Sequence, residues 1–316
     1  MGSNQHQESD RNGKGDRRLI ASVAVNGLLT LAQIAGGVLS GSLALIADAL
    51  HNLSDAVSLV ITLVARRIAR RPPDKVMTFG YGRVEVVAAL INYTSLILIG
   101  FYLAYEAVLR MFEPREIEGW TIVIVAGIAL VVDAVTALLT YTLSEESMNV
   151  KAAFLHNMAD VLGSVAVIVA GSLILLYDWR LVDPLVTLLI AGYVLWQSVS
   201  RIGAAIRILV LGSPPDISTE EVVSQMRGVD GVRDIHHLHV WQMQEEANAV
   251  EAHVVIDDVD WEESDGIKKR IKSRMKDRFG IRHATLEVER YSAVDHETRT
   301  YGHPQEQDRP QGRMSE

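Results

Sequence analysis

The chain contains no cysteine among its 316 residues. This absence excludes a disulfide framework and any thiolate metal site, and it leaves the redox compartment open. Positive charge is also scarce: 30 Lys and Arg stand against 39 Asp and Glu, for a formal net charge of −9. That balance argues against nucleic acid as a partner and suits a protein whose solute is a cation.

Apolar residues, in contrast, are abundant. They make up 49 % of the chain, and its mean hydropathy is +0.17. About 20 apolar residues are needed to cross a bilayer, and six stretches meet that requirement, at 18–40, 43–65, 84–109, 120–142, 153–177 and 182–206. The sequence therefore predicts a membrane domain at 17–210, a polar α+β domain at 211–291 and disordered polar tails at 1–16 and 292–316. No segment resembles a cleaved signal peptide.

The positions of arginine and lysine predict the orientation. Arg17 and Arg18 precede the first span, five basic residues fill 66–75 between spans two and three, and Arg201 and Arg207 close the sixth span. The opposite loops carry fewer basic residues. By the positive-inside rule, both termini are expected in the cytoplasm.

The second and fifth spans each carry a His-x-x-x-Asp motif. His51 and Asp55 form one, and His156 and Asp160 form the other. Residues four apart share a helix face, so two facing helices would supply two nitrogens and two oxygens, a tetrahedral set suited to Zn²⁺. An Asp at the centre of a membrane helix costs roughly 2.5–3.5 kcal/mol, and a bound cation or proton would offset that cost.

Other polar residues lie inside the spans. Asp48, one turn before His51, is either a further ligand or a residue near the membrane boundary or a helix cap. Asp133 is either a structural residue or part of the surroundings of the metal site or of a proton pathway. For the amides, Asn26, Gln33 and Asn92, we expect hydrogen bonds between helices.

Three segments together carry a family resemblance. Residues 41–48 leading to His51, residues 79–85, and residues 149–153 leading to His156 resemble the cation diffusion facilitator family, in its bacterial zinc-efflux type, and the likeness covers about 17–291. The resemblance implies a homodimer in a bacterial inner membrane that exports divalent metal in exchange for protons. It implies a transport site formed by the two motifs. It also implies Zn²⁺ as substrate, because His occupies position 51, with Cd²⁺ and Co²⁺ as further substrates and no required cofactor.

The chain departs from the family in two loops and at one position. Neither 143–151 nor 66–78 contains histidine, so a loop metal site of some relatives is not expected. Where relatives often have an acidic residue before the soluble domain, this chain has Leu211, which removes the expected ionic partner of Arg83.

The C-terminal part has the pattern of a small open-faced sandwich. A helix capped by Ser218 or Thr219 precedes strands at 232–242 and 249–256, a helix at 261–279 and a strand at 284–290. This αββαβ order resembles the metallochaperone-like domain of the family. The predicted fold class is thus an α-helical membrane protein of six transmembrane helices with a C-terminal cytoplasmic α+β domain.

Histidines crowd this domain. Strand alternation places His237 and His239 on one face and His236 on the other. By match to the family pattern, His236, His253 and Glu287 are the candidates for a cytoplasmic regulatory metal site. The alternative is that they are polar residues of an exposed sheet or dimer face. Two further histidines, His296 and His303, fall in the tail that is expected to be disordered.

Two other functions compete with transport. A zinc hydrolase usually keeps three protein ligands and an open position, often with Glu directly after His, and neither membrane motif has that Glu. We therefore expect no enzyme. A membrane-tethered metal sensor that uses the cytoplasmic histidines remains the alternative.

Overall fold

The computed structural model describes residues 27–141, 148–245, 247–293 and 300–301. The helices of the membrane part are α1 (Gly27–Ser40), α2 (Leu43–Ala69), α3 (Arg83–Phe112), α4 (Gly119–Tyr141), α5 (Met148–Tyr177) and α6 (Val182–Leu209). Five of them are long and apolar enough to cross a membrane, and the described part of α1 is a shorter apolar helix. The predicted fold class is confirmed. The start of the first predicted span, Asn26, the tail at 1–16, His296 and His303 lie outside the described residues.

The chain divides into two compact units. One comprises Met1–Ala65 with Ala88–Ile202, and the other comprises Arg66–Val87 with Gly203–Glu316. The loop between α2 and α3 therefore belongs to the C-terminal unit, whereas the predicted membrane domain at 17–210 includes it.

Small residues set the spacing of the helices in the first unit. Ala126 of α4 and Ala170 of α5 are fully buried. A Cβ on Gly171 of α5 would lie 2.8 Å from the Ile122 side chain of α4, so a larger residue there would force these helices apart. Close backbone approach through small residues is how membrane helices pack without a hydrophobic driving force.

The start of α2 is fixed by a carboxylate from α6. Asp183 is fully buried, and its oxygens accept hydrogen bonds from the backbone N–H groups of Leu43 at 2.8 Å and Ala44 at 3.2 Å and from the Ser42 hydroxyl. These donors are among those that a helix cannot satisfy internally, and a negative charge is favourable at this end. Asp183 thus caps α2 across the helix interface.

The second unit has the predicted αββαβ order. Helix α7 (Thr219–Arg227) precedes β1 (Val232–Gln244) and β2 (Ala247–Ile256), and α8 (Ser264–Phe279) precedes β3 (His283–Arg290). Strands β1 and β2 are antiparallel, β2 and β3 are parallel, and the sheet order is β1-β2-β3. Both helices bury apolar side chains in the core shared with the sheet: Val222, Met226, Ile267, Ile271 and Met275. The predicted cap, Ser218, accepts a hydrogen bond from the Glu221 N–H.

The loop before α3 packs against this domain. The Arg83 Nε donates to the main-chain oxygen of Met243, at the end of β1, over 3.1 Å. A Cβ on Gly82 would overlap the end of the Gln244 side chain, so a larger residue there would require Gln244 to change its rotamer. Arg83, whose expected acidic partner is replaced by Leu211, thus donates to a backbone carbonyl. In the tail, Tyr301 forms a bridge with Leu238 of β1.

Candidate metal centre

Helices α2 and α5 bring the four residues of the two membrane motifs to one place. One ligand atom from each of His51, Asp55, His156 and Asp160 lies within 4.8 Å of all the others. We refer to these four residues as the metal quartet. Each histidine nitrogen lies near two carboxylate oxygens, one from the aspartate of its own motif and one from the aspartate of the other motif.

The distances within the metal quartet suit a tetrahedral ion. His156 Nε2 lies 3.0 Å from Asp55 Oδ2, and His51 Nε2 lies 3.4 Å from Asp160 Oδ1. Within each motif the nitrogen–oxygen separation is 3.8 Å. A zinc ion with bonds of about 2.0–2.1 Å separates its tetrahedral ligand atoms by about 3.3 Å. The observed separations lie on both sides of that value.

Two buried residues of the metal quartet have polar atoms with no hydrogen bond. Among the described residues, neither nitrogen of His51 nor Oδ1 of Asp160 makes one. Their side chains are 8 % and 13 % exposed, so water does not compensate well. An unsatisfied buried polar group costs about 1–3 kcal/mol, and a cation between these atoms would remove that cost. Its two positive charges would balance the two carboxylates.

A cavity of about 160 Å³ borders the metal quartet. Asp55, His156 and Asp160 line it together with Asn52 of α2 and Asp133 of α4. Asp55 and His156 are 35 % exposed, whereas His51 is almost enclosed. The cavity therefore gives a small ion access to one side of the site.

The other polar membrane residues bond between helices. Gln33 of α1 donates to Asp48 of α2 over 2.7 Å, and Asn92 of α3 accepts from Ser58 of α2 over 2.6 Å. The predicted interhelical hydrogen bonds are confirmed for both of these amides. Asp48 lies outside the group of atoms that converge in the metal quartet.

The cytoplasmic domain holds a second group, formed by His236, His253 and Glu289, which we call the cytoplasmic cluster. Glu289 Oε2 lies 2.8 Å from His236 Nε2, and its Oε1 lies 2.6 Å from His253 Nδ1. The predicted third residue, Glu287, is 66 % exposed and lies 3.4 Å from His253 Nε2. Glu289 lies two residues after Glu287 on the same face of β3, and it is Glu289 that lies between the two histidines.

The expected alternation of the β1 histidines holds for His237 and His239, whose ring centroids lie 4.9 Å apart, but His236 is not separated from them as expected. The pairing of β1 with β2 shifts between His236 and His239, and His237 has a φ of 52°. This bulge inserts an extra residue, so that both His236 and His237 face His253, with ring centroids 5.0 Å and 4.6 Å away. The spacing of the buried apolar residues Ile235, Leu238 and Val240 carries the signal of this bulge, because it steps by three residues and then by two.

Family models match both parts of the chain. The cation efflux transmembrane domain matches residues 19–210, and the cytoplasmic domain of cation efflux proteins matches residues 214–291. The chain belongs to the cation efflux family. The predicted family is confirmed, and so is the expectation that the protein is not an enzyme, because this is a family of transporters. It is a multi-pass membrane protein.

Curated relatives resemble the chain over most of its length. The cadmium, cobalt and zinc/H⁺-K⁺ antiporter of Bacillus subtilis is 35 % identical over 86 % of this chain and 88 % of its own. The zinc transporter ZitB of Escherichia coli is 33 % identical over 91 % and 90 %. The metal-bound C-terminal domain of the CzcD transporter from Cupriavidus metallidurans is 28 % identical, covers 23 % of this chain and 99 % of its own, and has a TM-score of 0.21.

Proposed function

We propose that this cation efflux protein exports Zn²⁺ through the metal quartet in exchange for protons. The observation that supports this most strongly is the convergence of two imidazoles and two carboxylates within 4.8 Å, in helices that cross the membrane. The names of relatives support the substrate, since they include zinc, cadmium and cobalt and, for one of them, H⁺ and K⁺ exchange. Cd²⁺ and Co²⁺ are proposed as further substrates.

Proton exchange follows from the chemistry of the ligands. A metal ion binds to neutral imidazoles and ionised carboxylates, so binding releases protons and zinc affinity falls as pH falls. On the opposite side of the membrane, protons compete for the same groups and displace the metal. The protonated carrier then returns, because protons replace the metal as the charge that neutralises the buried aspartates.

Orientation and assembly belong to the same proposal. With both termini in the cytoplasm, α2 runs towards the cytoplasm and α5 runs away from it. Because the proposed function is export, the ion would enter from the cytoplasmic side. A bacterial inner membrane fits the bacterial relatives. A homodimer fits the match of residues 214–291 to the family's cytoplasmic domain.

The alternative function, metal sensing, uses the cytoplasmic cluster, with Glu287 as a further ligand next to His253. Its histidines are already hydrogen-bonded to Glu289, so a metal ion must displace these bonds. We therefore propose that the cytoplasmic cluster binds zinc more weakly than the metal quartet and acts in regulation of transport.

The site assignment is tested by zinc uptake into everted membrane vesicles. His51→Ala and Asp160→Ala should each abolish uptake while the protein still assembles as a dimer. Asp178→Ala, which removes an exposed carboxylate outside the metal quartet, serves as the matched control and should retain uptake. Uptake by either quartet variant at the control level would refute the assignment.

A further inference from the structure

A single side chain of α1 reaches two successive turns of the metal-binding helix α2. Gln33 is fully buried, and its amide nitrogen donates to Asp48 Oδ2 over 2.7 Å. Its amide oxygen accepts from the Asn52 Nδ2 over 3.3 Å. Asp48 and Asn52 are four residues apart, so the two hydrogen bonds hold one face of α2.

His51 lies inside the bridged segment. It follows Asp48 by three residues and directly precedes Asn52. Gln33 bonds to residues before and after His51 on α2. These two bonds therefore fix the rotation of α2 at His51 relative to α1. Gln33 and Asp48 are both buried, so water does not replace the bond between them, and each needs its partner within the protein.

The bridge also lies against the second metal helix. A Cβ on Gly163 of α5 would come within 3.2 Å of Asp48 Oδ1. Gly163 is three residues after Asp160, one turn along the same helix. The next residue, Ser164, donates to Asp133 of α4 over 2.8 Å. Each metal helix is therefore hydrogen-bonded to a neighbour about one turn from its quartet residue: α2 to α1 near His51, and α5 to α4 near Asp160.

We propose that Gln33 is a positioning residue of the transport site. It holds α2 in the rotation that places His51 opposite Asp160, and it makes α1 move together with α2 when the site changes its access. This inference rests on the proposed function, because it requires the metal quartet to be the site that binds the transported ion. Neither Gln33 nor Asp48 has to touch the ion.

The experiment uses Co²⁺, whose visible absorption reports tetrahedral coordination, bound to the purified full-length protein. All variants carry His253→Ala, so that the cytoplasmic cluster does not contribute to the signal. Gln33→Ala should raise the Kd for Co²⁺ about 10-fold or more, an effect typical of losing residues that orient metal ligands, and should change the absorption bands. Asn92→Ala, which removes the α3 amide bonded to Ser58, is the matched control and should bind Co²⁺ like the parent.

A double variant separates positioning from a general loss of stability. Gln33→Glu alone sets two carboxylates against each other and should weaken Co²⁺ binding. In Gln33→Glu/Asp48→Asn, the acceptor and donor are exchanged between α1 and α2, and both hydrogen bonds can form again. The double variant should return to within about threefold of the parental Kd.

The outcomes are distinct. If Gln33→Ala lowers the melting temperature but keeps the parental Kd and absorption bands, Gln33 is merely structural and the inference is wrong. If the double variant folds without recovering Co²⁺ binding, the Asp48 carboxylate acts directly and the inference is again wrong. Asp55→Ala tests the underlying function separately: parental Co²⁺ binding in that variant would refute the quartet itself, whatever the Gln33 variants do.

Discussion

At the scale of single residues, the two histidine groups differ in whether their polar atoms have hydrogen-bond partners. In the cytoplasmic cluster, Glu289 binds both His236 and His253 directly. In the metal quartet, His51 and Asp160 keep buried atoms that have no hydrogen bond among the described residues. A cation bound between these atoms would satisfy them, whereas the cytoplasmic cluster already has its hydrogen bonds. This contrast favours the membrane site as the tighter of the two.

The first prediction concerns Asp160. Asp160→Asn preserves the shape of the side chain but removes one of the two charges that balance the ion. Zinc affinity should fall by more than about 100-fold, because losing even an outer partner of a metal ligand costs about 10–100-fold. Titration calorimetry on the purified protein measures it, with Asp178→Asn as the control. An unchanged affinity would mean that Asp160 is not a ligand.

A second prediction concerns Asp74, in the loop before α3. Hydrogen bonds from the Tyr81 hydroxyl and from the backbone N–H groups of Met77 and Val76 lower the pKa of Asp74 below its ordinary value of 3.8. A lowered pKa in the folded state means that ionised Asp74 stabilises the turn at neutral pH, and that this contribution is lost only as pH falls below the ordinary range.

Hydrogen exchange at Val76 and Met77 measures this effect. Exchange should be faster in Asp74→Asn than in the wild type at neutral pH, and the difference should shrink as the pH falls towards and below 4. A difference that stays constant down to acidic pH would show that the charge of Asp74 has no part in holding the turn.

At the scale of secondary-structure elements, α2 is held along its length by its neighbours. Asp183 of α6 caps its first turn, Gln33 of α1 bridges Asp48 and Asn52, and Asn92 of α3 accepts from Ser58. Of these contacts, only the Gln33 bridge spans a residue of the metal quartet, His51.

The third prediction tests the cap. Asp183→Ala leaves the N–H groups of Leu43 and Ala44 and the Ser42 hydroxyl without their acceptor, which should cost about 1–3 kcal/mol of stability. The midpoint of thermal unfolding in detergent should fall, whereas in Asp178→Asn, five residues earlier, it should hardly change, because this carboxylate is exposed and asparagine tolerates the positive φ of this position. Equal midpoints in the two variants would contradict the capping role.

Elements of the fold were predictable to different degrees. Long apolar runs predicted the membrane helices, because the bilayer demands a fixed length, and the αββαβ order followed from its pattern of polar and apolar residues. The bulge at His237 was missed, although its signal is present: the apolar residues Ile235, Leu238 and Val240 step by three residues and then by two, which breaks strict alternation. The choice between Glu287 and Glu289 was open, because both project from the same face of β3.

Within the membrane, the two motifs predicted the metal quartet because a four-residue spacing fixes the face of a helix. Gln33 could be recognised only as an amide that needs a partner. Its bridge to Asp48 and Asn52 depends on how α1 and α2 are rotated against each other. Packing of side chains decides that rotation, and one sequence does not reveal it.

At the scale of the whole molecule, the loop between α2 and α3 belongs to the C-terminal unit. Arg83 bonds to the Met243 carbonyl, and the ring of Phe79 lies 6.1 Å from that of His283. The same loop continues directly into both membrane helices. A conformational change in the cytoplasmic domain can therefore be transmitted along the chain itself to α2, the helix that carries His51.

The fourth prediction follows for the cytoplasmic cluster. His253→Ala should lower the zinc bound per chain by one equivalent, because it removes the histidine that contacts both Glu287 and Glu289. Transport should persist, with a changed dependence on zinc concentration. Metal analysis after dialysis, together with vesicle uptake, measures both quantities. Complete loss of uptake with an intact dimer would instead make the cytoplasmic cluster part of the transport route.

The most direct test of zinc/proton exchange through the metal quartet is zinc flux into proteoliposomes with an imposed pH gradient. The wild type should show flux that depends on the gradient, and Asp55→Ala should show none while retaining zinc at the cytoplasmic cluster. If the wild type binds zinc tightly but carries none across the membrane, or if Asp55→Ala carries as much as the wild type, the exchange mechanism proposed for the metal quartet is wrong.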